Sequence, residues 1–209
     1  MTAVHSAPGS TAEGRPRLRV VRGHRHPDHA GVQRAVADLL TALGRDPTDT
    51  HLAETPRRVA DTYLELLTPR SFDLTTFPND EGYDELVLAR NIPIHSLCQH
   101  HLLPFHGVAH VGYLPGKRIL GLSKLARVVE LFARDLQTQE RLTQQTADWL
   151  HTNLAPTGVG VVIETEHQCM SLRGVRAAGA RTLTFAMHGS LRTDARSRQG
   201  FLALTAGTQ

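Results

Sequence analysis

Behind Asp28 the apolar residues Val32, Val36, Leu39, Leu40 and Leu43 return every three to four positions, and Gly44 closes the run. That period lines one face of an α-helix, so the pattern predicts a first helix capped by Asp28. After the polar turn RDPTDTH, the stretch ETPRRVADTYLELL places Thr55 at an N-cap and Pro56 at the first helical position, with Val59, Tyr63, Leu66 and Leu67 on one face and Pro69 just beyond the end. Residues 71–83, with Pro78, Asn79, Asp80 and Gly82, read as a connector. The period then changes. DELVLARNIPI and FHGVAHVGY are strand-like, and LPGKR turns the chain. Two helices follow: SKLARVVELFARDL, with Ser123 as its cap and Leu125, Val128, Val129 and Phe132 inward, and TQERLTQQTADWLHTNL, carrying Leu142, Trp149, Leu150 and Leu154. Two β-rich segments, GVGVVIETEHQC and ARTLTFAMHGSLR, complete the pattern, joined by the basic, glycine-containing loop MSLRGVRAAG.

This order is α+β with mostly antiparallel pairing, not an alternating βαβ fold. A chain of 209 residues with 40% hydrophobic content buries a core without disulfide help. Much of the formal charge of +3 lies in the first residues, MTAVHSAPGSTAEGRPRLRVVRGHRH, which have little to bury. We therefore expect residues 1–27 to be a disordered basic arm rather than a nucleic-acid tail, 28–83 a helical region, 84–204 the main domain and 205–209 a flexible tail. No run approaches the ~20 apolar residues of a membrane span, and no apolar signal core opens the chain, so the expected location is cytoplasmic, with no membrane partner.

The chemistry concentrates in HSLCQHHLLPFHG, residues 95–107, which holds four of the 13 histidines and one of the two cysteines. Cys98 and His101 have the C-x2-H spacing with which a turn presents two ligands to one ion. In VVIETEHQC strand alternation puts Val161, Ile163, Thr165, His167 and Cys169 on one face. Cys98, His101 and Cys169 would make three soft or borderline ligands suited to Zn2+, with a fourth position open for chemistry; alternatively His100 or His167 completes a closed structural site. Taken singly, a cysteine in a strand is also an ordinary small hydrophobe. A second constellation, Ser123, Lys124 and Arg127 at a helix start, suits an anion such as phosphate, though it also reads as a solvated basic face. Glu140 stands one turn into its helix, and Arg173 and Arg176 follow Cys169 closely along the chain.

Taken together, SLCQHHLLPFHGVAHVGYLPGKRILGLSKLARVVELFARDLQTQERLTQQ and GVGVVIETEHQCMSLRGVR resemble the GTP cyclohydrolase I family, from about Asp28 to about Leu202. The resemblance implies a tunnelling fold: an N-terminal helix pair, then an antiparallel sheet with two helices inserted between strand pairs, closing into an oligomeric barrel. It implies a homodecamer with active sites at subunit interfaces. It also implies Zn2+ on Cys98, His101 and Cys169, with His100 and His167 transferring protons beside it. Glu140, with Gln139, would hold the guanine edge of GTP. Ser123, Lys124, Arg127, Arg173 and Arg58 would hold the triphosphate, with Ser123 counted also among the catalytic groups. The implied reaction is hydrolysis and rearrangement of GTP to 7,8-dihydroneopterin triphosphate and formate, the entry to tetrahydrofolate and pterin synthesis.

The chain departs from the family pattern at a few positions. Gln99 stands where C-E-H-H is usual, Thr138 replaces the apolar residue of Q-V-Q-E, Phe185 follows the last strand's threonines, and Asp61 stands where some members carry lysine. A neutral amide at Gln99 cannot serve as a base. This keeps open a variant enzyme that stops at a ring-opened formamidopyrimidine or serves a specialised purine-derived pathway, and a non-catalytic zinc-stabilised scaffold that binds nucleotide. A nitrile reductase of the same fold superfamily has no nicotinamide motif here to support it.

Overall fold

A computed structural model describes residues 4–8, 18–22 and 27–206. The alternating segments of the sequence become one five-stranded sheet built from β5 (Val87–Cys98), β6 (Pro104–Leu114), β8 (Leu136–Gln137), β9 (Gly158–His167) and β10 (Arg181–Gly189), ordered β10-β9-β6-β5-β8. Pairing is antiparallel throughout except for the short parallel contact of β8 with β5. Between the strand pairs come α3 (Ser123–Ala133) and α4 (Gln139–Leu154), whose apolar stripes pack on one sheet face. Leu125, Val128, Val129, Phe132, Leu142, Trp149, Leu150 and Leu154, the inward residues expected from periodicity, are all buried. They meet Phe105, Ala109, Val111 and Tyr113 of β6 and Val159, Val161 and Ile163 of β9. The mixed α+β architecture expected from the sequence is the one observed.

The opposite sheet face is covered at one end by α6 (Ser190–Thr193) and α7 (Ala195–Thr205). Phe201 enters a second, smaller cluster with Val162, Met187 and Leu191. Gly160 and Gly112 make its seat: a Cβ on either would lie within 2.9 Å of the Phe201 ring, so the ring can reach the strands only where side chains are missing. The sequence pattern did not reveal α7, because Gly200 interrupts it and only Phe201 and Thr205 are buried along it. Much of the expected flexible tail lies beyond this helix, and residues 207–209 lie outside the described residues.

The helix pair is α1 (His29–Ala42) and α2 (Thr55–Leu67). Asp28 caps α1 as expected, accepting from the Gly31 N–H at 2.8 Å. At α2 and α3 the expected caps fall one residue inside the helix: Glu54 and Leu122 hold the cap positions and neither makes a side-chain cap bond. The apolar stripe of α1 is not buried within one chain, and Leu39 and Leu43 are 56% and 66% exposed. Asp61, the residue expected as a departure, lies between His29 Nε2 at 2.7 Å and Arg57 Nη1 at 2.9 Å and so ties the two helices together. Being exposed, these pairs contribute little stability.

The connector 71–83 contains β3 (Phe72–Leu74) and β4 (Thr76–Pro78), which pair with neighbouring segments more than the sequence suggested. β4 pairs with β7 (Arg118–Leu120). β3 pairs with β2 (Leu18–Arg22), which in turn pairs with β1 (Val4–Pro8). Part of the expected disordered arm therefore carries strand pairing; its residues 1–3, 9–17 and 23–26 lie outside the described residues.

Candidate metal and proton-transfer site

Cys98 is the last residue of β5, and its backbone closes a tight turn into β6. Its N–H donates to Leu103 O at 2.8 Å, and its carbonyl accepts from the Leu102 N–H at 2.9 Å. Leu102 has φ 56°, the left-handed conformation that lets the chain reverse at once. Tyr63 of α2 donates to Leu102 O at 3.1 Å, and the Gln99 N–H donates to Gln137 O of β8 at 3.0 Å. The turn is therefore held from two sides while it presents His100 and His101.

Cys169 arrives from the end of β9. The alternation that puts Thr165 and His167 on the core side stops at His167, and Cys169 lies in the single helical turn α5 (Gln168–Ser171) rather than on the strand. The expectation of one continuous strand face through Cys169 is corrected in this respect. The residues nevertheless converge, because β6 pairs with both β5 and β9 and so brings their ends together.

The ligand atoms of Cys98, His101 and Cys169 all lie within 4.8 Å of one another, and Cys98 Sγ is 3.9 Å from His101 Nδ1. Zinc–sulfur and zinc–nitrogen bonds of ordinary length put neighbouring tetrahedral ligands about 3.3–3.8 Å apart, so a small contraction brings this set onto one ion. Two thiols and an imidazole also match the softness of Zn2+. Burial, and then the nearby Cys98 sulfur, push the Cys169 thiol above its ordinary range, while Arg173 acts in the opposite direction. A cation between the sulfurs would relieve that penalty. Among the described residues this is the one His/Cys/Asp/Glu cluster with metal-ligand geometry.

His100 stands beside the trio, its Nδ1 3.7 Å from Cys98 Sγ and its Nε2 3.3 Å from the amide nitrogen of Gln99. His167 stacks on Phe105, its register partner on β6, with centroids 4.6 Å apart and planes within 13°. Burial lowers the pKa of His167, and Glu140 opposes that shift. Glu140 is exposed in the first turn of α4. Thr138 caps that helix, its Oγ1 accepting from the Arg141 N–H at 3.3 Å, which gives this departure a structural use. Phe185 is exposed, with the Arg198 guanidinium 5.5 Å from its ring centroid.

Gln139, expected at the guanine edge, is 1% exposed. Its amide nitrogen donates to Ile163 O and Thr182 O, both at 2.9 Å, with Thr184 Oγ1 at 3.1 Å. Its oxygen accepts from Thr165 Oγ1 at 2.6 Å and faces His167 Nε2 at 2.8 Å. Two N–H groups and two lone pairs are thereby fully used by the protein. Thr165, Thr184 and Phe105 are the site residues that sequence reasoning missed. A buried threonine on the same alternating face as His167 was the available signal.

The anion-binding candidates lie at the start of α3, on α2 and just past α5. Ser123 is exposed at the start of α3, and Lys124 Nζ lies 5.9 Å from the Phe72 ring centroid. Arg127 pairs with Glu130 at 3.0 Å. Arg58 is exposed on α2, and Arg173 is exposed just past α5. Among the described residues no hydrogen bond or ion pair joins Ser123, Lys124, Arg127 or Arg58 to the Cys/His cluster. No described helix is long and apolar enough to cross a membrane.

Residues 32–206 match the family model described as GTP cyclohydrolase I. The chain is 51% identical over 186 residues to GTP cyclohydrolase 1 of Mycobacteroides abscessus, covering 87% of this chain and 91% of the relative. It is 48% identical over 180 residues to GTP cyclohydrolase 1 of Aquifex aeolicus, covering 86% of this chain and 98% of the relative. The crystal structure of an archaeosine synthase QueF-like protein in the apo form aligns with 50% of this chain and 93% of its own at 17% identity, with a TM-score of 0.40.

Proposed function

We propose, on the premise that the chain belongs to the GTP cyclohydrolase I family and has its enzyme activity, that it converts GTP to 7,8-dihydroneopterin triphosphate and formate with a Zn2+ ion on Cys98, His101 and Cys169. The convergence of two thiols and one imidazole within 4.8 Å carries this reading. Zinc in such a site supplies Lewis acidity and a nucleophile at neutral pH. The chain's own groups do the rest. His167, half-buried and stacked on Phe105, holds a ring nitrogen where a proton can pass to or from the purine as its five-membered ring opens. His100, with its Nδ1 3.7 Å from Cys98 Sγ, serves the later hydrolysis that releases formate. The Glu140 carboxylate accepts from two N–H groups of the guanine edge, a charge-assisted contact that selects this base. Ser123, Lys124, Arg127, Arg173 and Arg58 supply hydroxyl and cationic groups for the triphosphate.

The active enzyme on this reading is a homo-oligomer, a decamer by family, with residues 84–204 as its catalytic unit. The apolar stripe of α1 supports it, because none of it is buried within one chain and Leu39 and Leu43 are exposed. Metal-loaded protein incubated with GTP should yield formate and, after oxidation, a fluorescent pterin; absence of both overturns the assignment.

A second reading rests on Gln99. Its side-chain amide stands 3.3 Å from His100 Nε2 where a carboxylate is usual, and an amide can neither act as a base nor hold negative charge there. A reaction stalled after ring opening would follow, and Gln99→Glu would then convert a formamidopyrimidine product to a pterin. An unchanged product and rate count against it.

A further inference from the structure

We infer that Gln139 is a positioning residue for His167, fixing both the orientation of its ring and which nitrogen carries the proton, rather than a contact to the guanine base. The inference rests on the catalytic reading above. The orientation of the Gln139 amide is not arbitrary: its nitrogen faces the carbonyls of Ile163 and Thr182, which can only accept. Turning the amide over would set its oxygen against two carbonyl oxygens at a buried position, where acceptor facing acceptor forms no hydrogen bond. The oxygen must therefore face His167, and an amide oxygen accepts only. The hydrogen at that contact belongs to His167 Nε2. In the neutral ring Nδ1 is then the bare nitrogen, and it makes no hydrogen bond with the described residues. Two restraints complete the placement: stacking on Phe105 fixes the ring plane, and the Gln139 contact fixes rotation within that plane.

The anchor is unusually rigid for a side chain. Gln139 begins α4, bonds to backbone on both β9 and β10, and receives the Thr165 hydroxyl at 2.6 Å. Thr184, 3.1 Å from the Gln139 nitrogen, is itself held by Thr143 at 2.6 Å. A helix start and two strands thus converge on one imidazole. The residue that sequence pairs with Glu140 acts on the histidine, and Glu140 alone remains exposed to a ligand.

Steady-state kinetics of the zinc-loaded Gln139→Met protein test this directly. General acid–base transfer is worth about 10²–10⁴-fold, so misplacing the histidine should lower kcat by about 10- to 100-fold while KM for GTP stays within about threefold. A raised KM with kcat retained would make Gln139 a base contact and overturn the inference, as would unchanged kinetics. Nitrogen-15 spectra of histidine-labelled wild-type protein at pH 8, with the signal assigned by its loss in His167→Asn, need no Gln139 variant to fold. One fixed form with hydrogen on Nε2 is expected. Hydrogen on Nδ1, or a mixture of the two forms, overturns the inference. These spectra do not depend on turnover, so wild-type protein that leaves GTP intact overturns the catalytic reading while the Gln139 contact is judged separately.

Discussion

In the first half of β9, Val159, Val161 and Ile163 point between the sheet and α4, and none of them is exposed. In the second half the same face continues through Thr165 and His167, and there the buried neighbours become Gln139 and the Phe105 ring. The backbone pairing does not change between the halves, since β6 and β10 flank both. Only the side chains change. A site built this way inherits the rigidity of the core, because each polar group stands one alternation beyond an apolar one and is hydrogen-bonded in the place where a hydrophobe would have packed. The contrast also explains why Gln139 is inward while its neighbour Glu140 is exposed: one residue spans the helix–sheet seam and the other faces solvent.

The comparison makes the two halves separable by mutation. Cys169→Ser should give the largest effect, abolishing stoichiometric zinc and lowering GTP turnover by more than the ~100-fold that losing an outer supporting contact costs. Circular dichroism should stay close to wild type, and metal analysis with retained zinc would break the distinction between the halves. Ile163→Ala, two residues before Thr165, should do the reverse. It should cost about 2–5 kcal/mol of stability in urea unfolding, while kcat per folded protein remains near wild type. Thr138→Ala removes the cap of α4 and should lower stability by about 1 kcal/mol, read from the same unfolding curves.

A pH-dependent effect concerns the other sheet face. His110 on β6 is buried, its Nδ1 is without a partner among the described residues, and burial, then Arg90, lower its pKa below the ordinary 6.5 while Glu164 opposes them. The unfolded chain therefore takes up this proton first as pH falls. Stability from the neutral ring is complete above about pH 6.5 and is lost as pH descends toward the folded value. His110→Leu should remove that loss, so its stability relative to wild type should rise between pH 7 and pH 5 by at most ~1.4 kcal/mol per pH unit. A pH-independent difference would show that the ring takes up its proton equally in the folded and unfolded states.

Much of this was legible without coordinates. Helical spacing identified the buried stripes of α3 and α4, strand alternation placed His167 in line with Ile163, and C-x2-H marked the turn that presents Cys98 with His101. The caps at Thr55 and Ser123 were one residue off, because local propensity does not decide where the first hydrogen-bonded turn begins. α7 was missed because a helix held mainly by one phenylalanine in a glycine-made seat leaves little periodic trace.

By itself the sequence determined the elements whose stabilising contacts lie within a few residues, the residue types fit for a metal, and the family they resemble. Tertiary structure decided which of them meet. Cys98 and Cys169 come together because β6 pairs with strands on both sides, and Gln139 becomes a partner of His167 because its amide finds carbonyls and a hydroxyl 24 to 43 residues away. A carboxamide carries donors and an acceptor at once, so its role is set by whichever groups surround it, and those groups are chosen by the fold.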